Sequence, residues 1–216
     1  MKSATPSPVF NKSPGNPLNT APAPAKKMNV HIALLRGVNV GGANKLAMSD
    51  LKAIFEGAGC ANVETIIQSG NVVFEAPAKA IGALATIVAK EIRRLTGIEA
   101  PVILRSGAEW RAIVEGNPFL HAGADPALLH VMCLAARPSK GAVAALDPQR
   151  SPPDEFIVRD REIYLRLPNG VARSKLTNAY FDKALRTIGT ARNWRTMMRL
   201  CEAAGVQSSR AATPVP

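Results

Sequence analysis

The side chains best equipped for chemistry fall in four short segments, and the chemistry they suit is the holding of an anion. Arg36-Gly37-Val38-Asn39-Val40-Gly41-Gly42, followed by Asn44 and Lys45, combines two cations with glycines that let backbone N–H groups approach a phosphate or carboxylate. Arg36, Asn39, Gly41, Gly42 and Lys45 are the candidate ligand-binding residues of this loop. Gln68, Ser69 and Asn71 surround Gly70 in a second segment, where turn side chains could reach the same ligand, although glycine and asparagine there also suit a tight turn with no ligand at all. Ser174, Lys175 and Asn178 form a third basic, amide-containing segment, and Arg192 with Asn193 a fourth. The first loop is not a P-loop, which needs a terminal Gly-Lys-Ser/Thr, and it is not the dinucleotide Gly-x-Gly-x-x-Gly. A structural loop, with Arg36 paired to an acid and Asn39 holding a turn, stands beside the anion-binding alternative.

Other chemistries lack their residues. His31, His121 and His130 show no ligand spacing, and Cys60, Cys133 and Cys201 form no Cys-x-x-Cys pair, so neither a metal nor a cofactor is expected. Three scattered cysteines leave an odd thiol under any pairing, which fits a reducing, cytoplasmic setting. Ser174-Lys175 invites comparison with a Ser-Lys nucleophile, but adjacent side chains diverge and nothing nearby orients the lysine. No apolar run approaches the roughly 20 residues that span a bilayer, so no membrane partner is expected.

The elements that must position these segments follow from periodicity. Val30 to Leu35 is an apolar run that reads as a central strand ending at the glycine loop. Leu51, Ile54, Phe55 and Ala58 recur at helical spacing after Ser49, a candidate cap, and before Gly59. Val63–Ile67 and Val72–Glu75 flank a hairpin turn; Ala80–Leu95 is a longer helix closed by Gly97, and Pro101–Arg105 a fourth strand. This order is the ferredoxin-like βαββαβ arrangement. Ser106 and Glu109 have capping-box spacing for a short helix that ends at Gly116-Asn117-Pro118. Leu128–Ala135, Ser139–Leu146, Phe156–Val158 and Ile163–Leu167 then read as strand, helix, strand, strand, and two helices follow over 176–186 and 191–204, the last capped by Thr190. The fold class expected is α+β in two subdomains: a ferredoxin-like unit over 28–116 and a related βαββα unit with two basic terminal helices over 117–205. The head, residues 1–27, is rich in proline and lysine without an acid, and is expected to be disordered, as is the tail from about 206. Met28 opens the first periodic segment, which makes the head a candidate upstream extension; a transit peptide is the rival reading, weakened by the absence of arginine and of an amphipathic pattern.

The formal net charge of +11 resembles a nucleic-acid signal until it is divided. Residues 28–158 carry twelve basic and twelve acidic side chains, whereas residues 159–199 carry ten basic against three acidic. Folded basic character is therefore concentrated late in the chain, as a phosphate-contacting face would require, or as a solvated surface would show. Aromatics there are sparse, and no strand carries an RNP1-like pattern.

LLRGVNVGG at 34–42, Lys45 and Met48, IIQSGNVVF at 66–74, NPF at 117–119, ARSKLTN at 172–178 and TARNWRT at 190–196 together resemble the family catalogued as domain of unknown function, family 1697. The resemblance implies a mostly bacterial, two-subdomain α+β protein with a ferredoxin-like part, and brings no activity, cofactor or catalytic residue with it. Ala172 stands where that family leads one to expect glycine, and Ala191 and Arg195 where threonine and asparagine are expected.

Function is thus expected to be the binding of a phosphate-containing small molecule or nucleic acid. Two other classes stand beside it. An enzyme on a nucleotide or phosphoester would need Asp50, Glu75 or His31 to face the first loop. A self-associating scaffold would pair exposed strand edges.

Overall fold

The computed structural model describes residues 28–42 and 44–206. The fold is α+β, built on two antiparallel four-stranded sheets. The first comprises β1 (Met28–Leu35), β2 (Ala61–Thr65), β3 (Asn71–Pro77) and β4 (Val102–Ser106), in the order β2-β3-β1-β4. Helices α1 (Met48–Gly57) and α2 (Ala78–Thr96) connect its strands. Alternation along β1 explains the layering. Ala33 and Leu35 point towards Leu51, Phe55, Leu84 and Val88 of these helices, while Ile32 and Leu34 join the opposite core. Helix α2 ends because Gly97 adopts the left-handed conformation, φ +72°.

Helix α3 (Gly107–Glu115) follows at once, capped by Ser106 and Glu109 in the reciprocal box that their spacing predicts. A four-residue turn of helix, α4 (Pro118–His121), is capped by Asn117 and leads to the second sheet. This sheet holds β5 (Leu129–Leu134), β6 (Glu155–Arg159), β7 (Glu162–Arg166) and β8 (Gly189–Asn193), in the order β6-β7-β5-β8. Helices α5 (Lys140–Ala144), α6 (Asn178–Leu185) and α7 (Trp194–Ala203) complete the chain. Val131 and Cys133 of β5 share one core with Ile32 and Leu34 of β1, filled between them by Trp110 of α3 and by Met197 and Leu200 of α7. Trp110 Nε1 donates to Met197 O at 3.2 Å, so the largest buried side chain also satisfies its polar atom.

Four local expectations are corrected. Thr190 does not cap the last helix: residues 189–193 form strand β8 beside β5, and the cap is Asn193, whose side chain accepts from Thr196 N at 2.9 Å. The second half therefore runs βαββαβ before its last helix rather than βαββα, because pairing with β5 outweighs the weak local helix signal of a five-residue segment. Ser49 likewise lies inside α1, which starts at Met48 with Ala47 at its cap position. Residues 1–27 and 207–216, where disorder was expected, lie outside the described residues. Val206, placed at the start of that tail, is 8% exposed and packs in the shared core.

Candidate functional site

Four segments come together where β1 ends. Arg36 leaves β1, the 67–70 turn joins β2 to β3, Asn178 opens α6, and Thr190 to Asn193 form β8 and the cap of α7. Between them lies a cleft of about 460 Å³. Of the thirteen candidate residues, Arg36, Ser69, Asn178, Arg192 and Asn193 line it, together with His130, Thr190 and Thr196. Among the described residues no aspartate or glutamate does.

Arg192 is the centre of this arrangement. It lies on β8 opposite Val131 and reaches across to the first sheet. Nη2 donates to Leu35 O at 2.8 Å and Ser69 O at 3.2 Å, Nη1 to Thr190 Oγ1 at 2.8 Å and Ala191 O at 2.9 Å, and Nε to the side-chain oxygen of Asn71. Every one of these partners is neutral. Burial without a carboxylate draws the guanidinium pKa down from its ordinary value to about 10, so it remains cationic at neutral pH. The guanidinium has little donor capacity left, and its contribution to a ligand is its field.

Arg36 reaches in the opposite direction. Its Nη1 donates to Asp182 of α6 and, at 3.2 Å, to Gly189 O, while Nε and Nη2 have no protein acceptor among the described residues. Asp182 in turn accepts from Gly189 N at 2.9 Å, so its two oxygens are both engaged. Asn178 opens the first turn of α6, and Asn193 and Thr196 belong to the first turn of α7, which places two positive helix ends at the cleft wall. His130 completes it. Burial lowers the pKa of its imidazole, against an opposing effect of the Leu128 backbone, and Nδ1 makes no well-formed hydrogen bond among the described residues.

The remaining candidates do other work. Asn39 is a hub of its own loop: Nδ2 donates to Leu46 O and Gln68 O, and Oδ1 accepts from Leu46 N, each at 2.8 Å. Its φ of +54° is one that asparagine tolerates. Gly41, Gly42 and Lys45 are exposed along the same loop and do not line the cleft, and Gln68 enters only through the carbonyl that Asn39 holds. Asn71 is buried behind Arg192. The Ser174 hydroxyl accepts from Leu176 N at 3.0 Å in a local turn, and Lys175 is exposed with its backbone N–H bonded to Ser151 Oγ. Asp50 lines a groove between α1 and α2, and His31 a different cleft, so neither faces the first loop. Thr190 was expected only as a helix cap and Thr196, in the same TARNWRT segment, was not singled out; His130 carried no local signal, since its place depends on the pairing of β5 with β8.

Excess charge lies around this half. Arg173, Lys175, Lys183, Arg186, Arg195 and Arg199 are exposed and make no ion pair among the described residues.

Comparison with known proteins supplies kinship. A family profile described as "Protein of unknown function (DUF1697)" matches residues 28–164. A solved structure of the conserved bacterial protein SP0830 from Streptococcus pneumoniae is 20% identical, with a TM-score of 0.57 over 82% of this chain and 99% of that one, a likeness of fold. No curated protein matches the chain.

Proposed function

We propose, on the premise that the chain belongs to the DUF1697 family, that it is a binding module for a small anionic ligand held in the Arg192 cleft. The observation that carries this is a half-buried arginine whose hydrogen-bond partners are all neutral, beside a cleft that no carboxylate among the described residues lines. A buried cation without a counter-ion is costly, and an anion entering the cleft offsets that cost while the two helix ends and the free N–H groups of Arg36 supply direct contacts. The volume suits a small molecule or a single phosphate-bearing group better than a nucleic-acid strand.

The ferredoxin-like description of each half, meeting near residues 116–127, belongs to the same proposal and draws support from the shared strand order. A bacterial cytoplasm is the setting we propose, since three cysteines buried as thiols suit a reducing compartment. Among the described residues no helix is long and apolar enough to cross a membrane.

Calorimetric titration with inorganic phosphate and with a nucleoside monophosphate tests the reading. Saturable binding at low ionic strength, weakened by salt and lost in an Arg36→Met, Asn178→Ala double variant, is expected. Absence of binding by phosphate, by the nucleoside monophosphate and by a simple carboxylate such as acetate, all at low ionic strength, overturns it.

A further inference from the structure

We propose that the Arg192 cleft takes a small carboxylate, held where a matching cleft elsewhere in the protein already holds the carboxylate of Glu109. The proposal rests on the anion-binding reading and names the anion. The two halves contact each other reciprocally, as copies do about a two-fold axis. Within each half the same bonds recur: Leu35 N donates to Gly70 O at 2.7 Å as Leu134 N does to Arg161 O at 2.8 Å, and Arg36 N donates to Pro101 O at 3.0 Å as Ala135 N does to Ile188 O at 2.8 Å. Arg105 lies opposite Ile32 as Arg192 lies opposite Val131, and Ser106 opposite His31 as Asn193 lies opposite His130. Each arginine then crosses to the other sheet. Arg105 Nη2 donates to Leu134 O, and Arg192 Nη2 to Leu35 O, both at 2.8 Å. Arg105 Nε meets Glu162 on β7, and Arg192 Nε meets Asn71 at the equivalent place on β3.

The counterpart cleft, about 410 Å³, is lined by His31, Arg105, Ser106, Glu109 and Arg161 among others. Here the chain supplies its own anion. Glu109 Oε2 accepts from Ser106 N at 2.7 Å and Ser106 Oγ at 2.8 Å, and Oε1 accepts from Arg161. Burial works to raise the Glu109 pKa, yet the bonds from Ser106 and the charge of Arg161 hold it below the ordinary range. In the Arg192 cleft, Thr196 occupies the position of Glu109 after the cap and Asn71 that of Glu162, and the reciprocal half of the capping box is absent from α7. Arg105 and Arg161 are balanced by Glu109 and Glu162, whereas Arg192 and Arg36, which stands where the other half has Ala135, face Asp182 alone among the described residues. The unfilled requirement is therefore one carboxylate: one oxygen for the Asn193 amide and cap side chain, the other for the open edge of Arg36.

Propionate, the glutamate side chain detached from its backbone, is the probe, followed through the amide resonances of the whole ¹⁵N-labelled protein, with inorganic phosphate run separately. Expected are saturable shifts at Asn193 and Arg36 with propionate, their loss in Thr196→Glu, and a new set at Ser106 in Glu109→Ala. Shifts at Asn193 with phosphate but not propionate overturn the carboxylate assignment and leave the anion-binding reading standing. No shift with either anion overturns both. Equal propionate shifts in the wild type and a folded Thr196→Glu variant place binding elsewhere and overturn the proposal. Should Thr196→Glu fail to fold, Glu109→Ala decides: a propionate response at Ser106 supports the internal template, and its absence refutes it.

Discussion

Replacing Arg192 by methionine keeps the unbranched stem of the side chain and deletes its guanidinium donors, and the cost can be worked from its partners. Four hydrogen bonds to the first half are lost, to Leu35 O at 2.8 Å, Ser69 O at 3.2 Å, Gly70 O at 3.4 Å and the Asn71 side chain. Charged hydrogen bonds contribute about 1.5 kcal/mol each, and relief of burying an uncompensated cation returns part of that sum, so a net loss of about 3 kcal/mol is expected. In a chain of this size the transition should fall by roughly 6–12 °C. The matched variant Arg105→Met differs in one respect: it strands Glu162, whose carboxyl burial already holds above its ordinary range even with Arg105 at 3.0 Å. Its cost should be about 3–5 kcal/mol at neutral pH. A carboxyl whose folded pKa is raised stabilises fully below the unfolded value, near 4.3, and that stability is lost as pH rises through the folded pKa. The Arg105→Met deficit should therefore grow from acid to neutral pH, while the Arg192→Met deficit stays level, since Asn71 does not titrate. Urea denaturation of both variants across that range is the assay. An Arg192→Met loss below about 1 kcal/mol, or the same pH slope in both variants, refutes the account of the crossing arginines.

Gly70→Ala should cost at least about 2 kcal/mol, because its φ is +70° and a Cβ would stand 2.7 Å from Leu35 Cβ; a urea midpoint within error of wild type would contradict that. Burial pushes the thiols of Cys60 and Cys133 up to about 11, so at pH 8 only about 0.1% is thiolate and a disulfide reagent should modify neither until urea unfolds the chain. Rapid labelling of the native protein at either position would contradict their placement.

Much of the first half was legible because its signals are local. Gly97 stops α2, Ser106 and Glu109 box α3, and the apolar run before Arg36 is the central strand. Strand β8 was hidden because Gly-Thr-Ala-Arg-Asn carries little strand propensity and becomes a strand only beside β5, an element more than fifty residues earlier. The same distance concealed His130. Asn39 illustrates the converse: its type and loop position suit a ligand, but its acceptors Leu46 O and Gln68 O are supplied by the folded chain. The late basic charge was visible as composition, whereas the isolation of Arg192 from any carboxylate is a property of register. Only pairing puts Asn71, and not an acid, at its Nε.

Bromide soaked into crystals and located by its anomalous scattering tests the central claim most directly. The account predicts its strongest site in the Arg192 cleft, against the free edge of Arg36 and the first turn of α7. Bromide confined to exposed Arg173, Lys183 or Arg186, with that cleft empty, would contradict it.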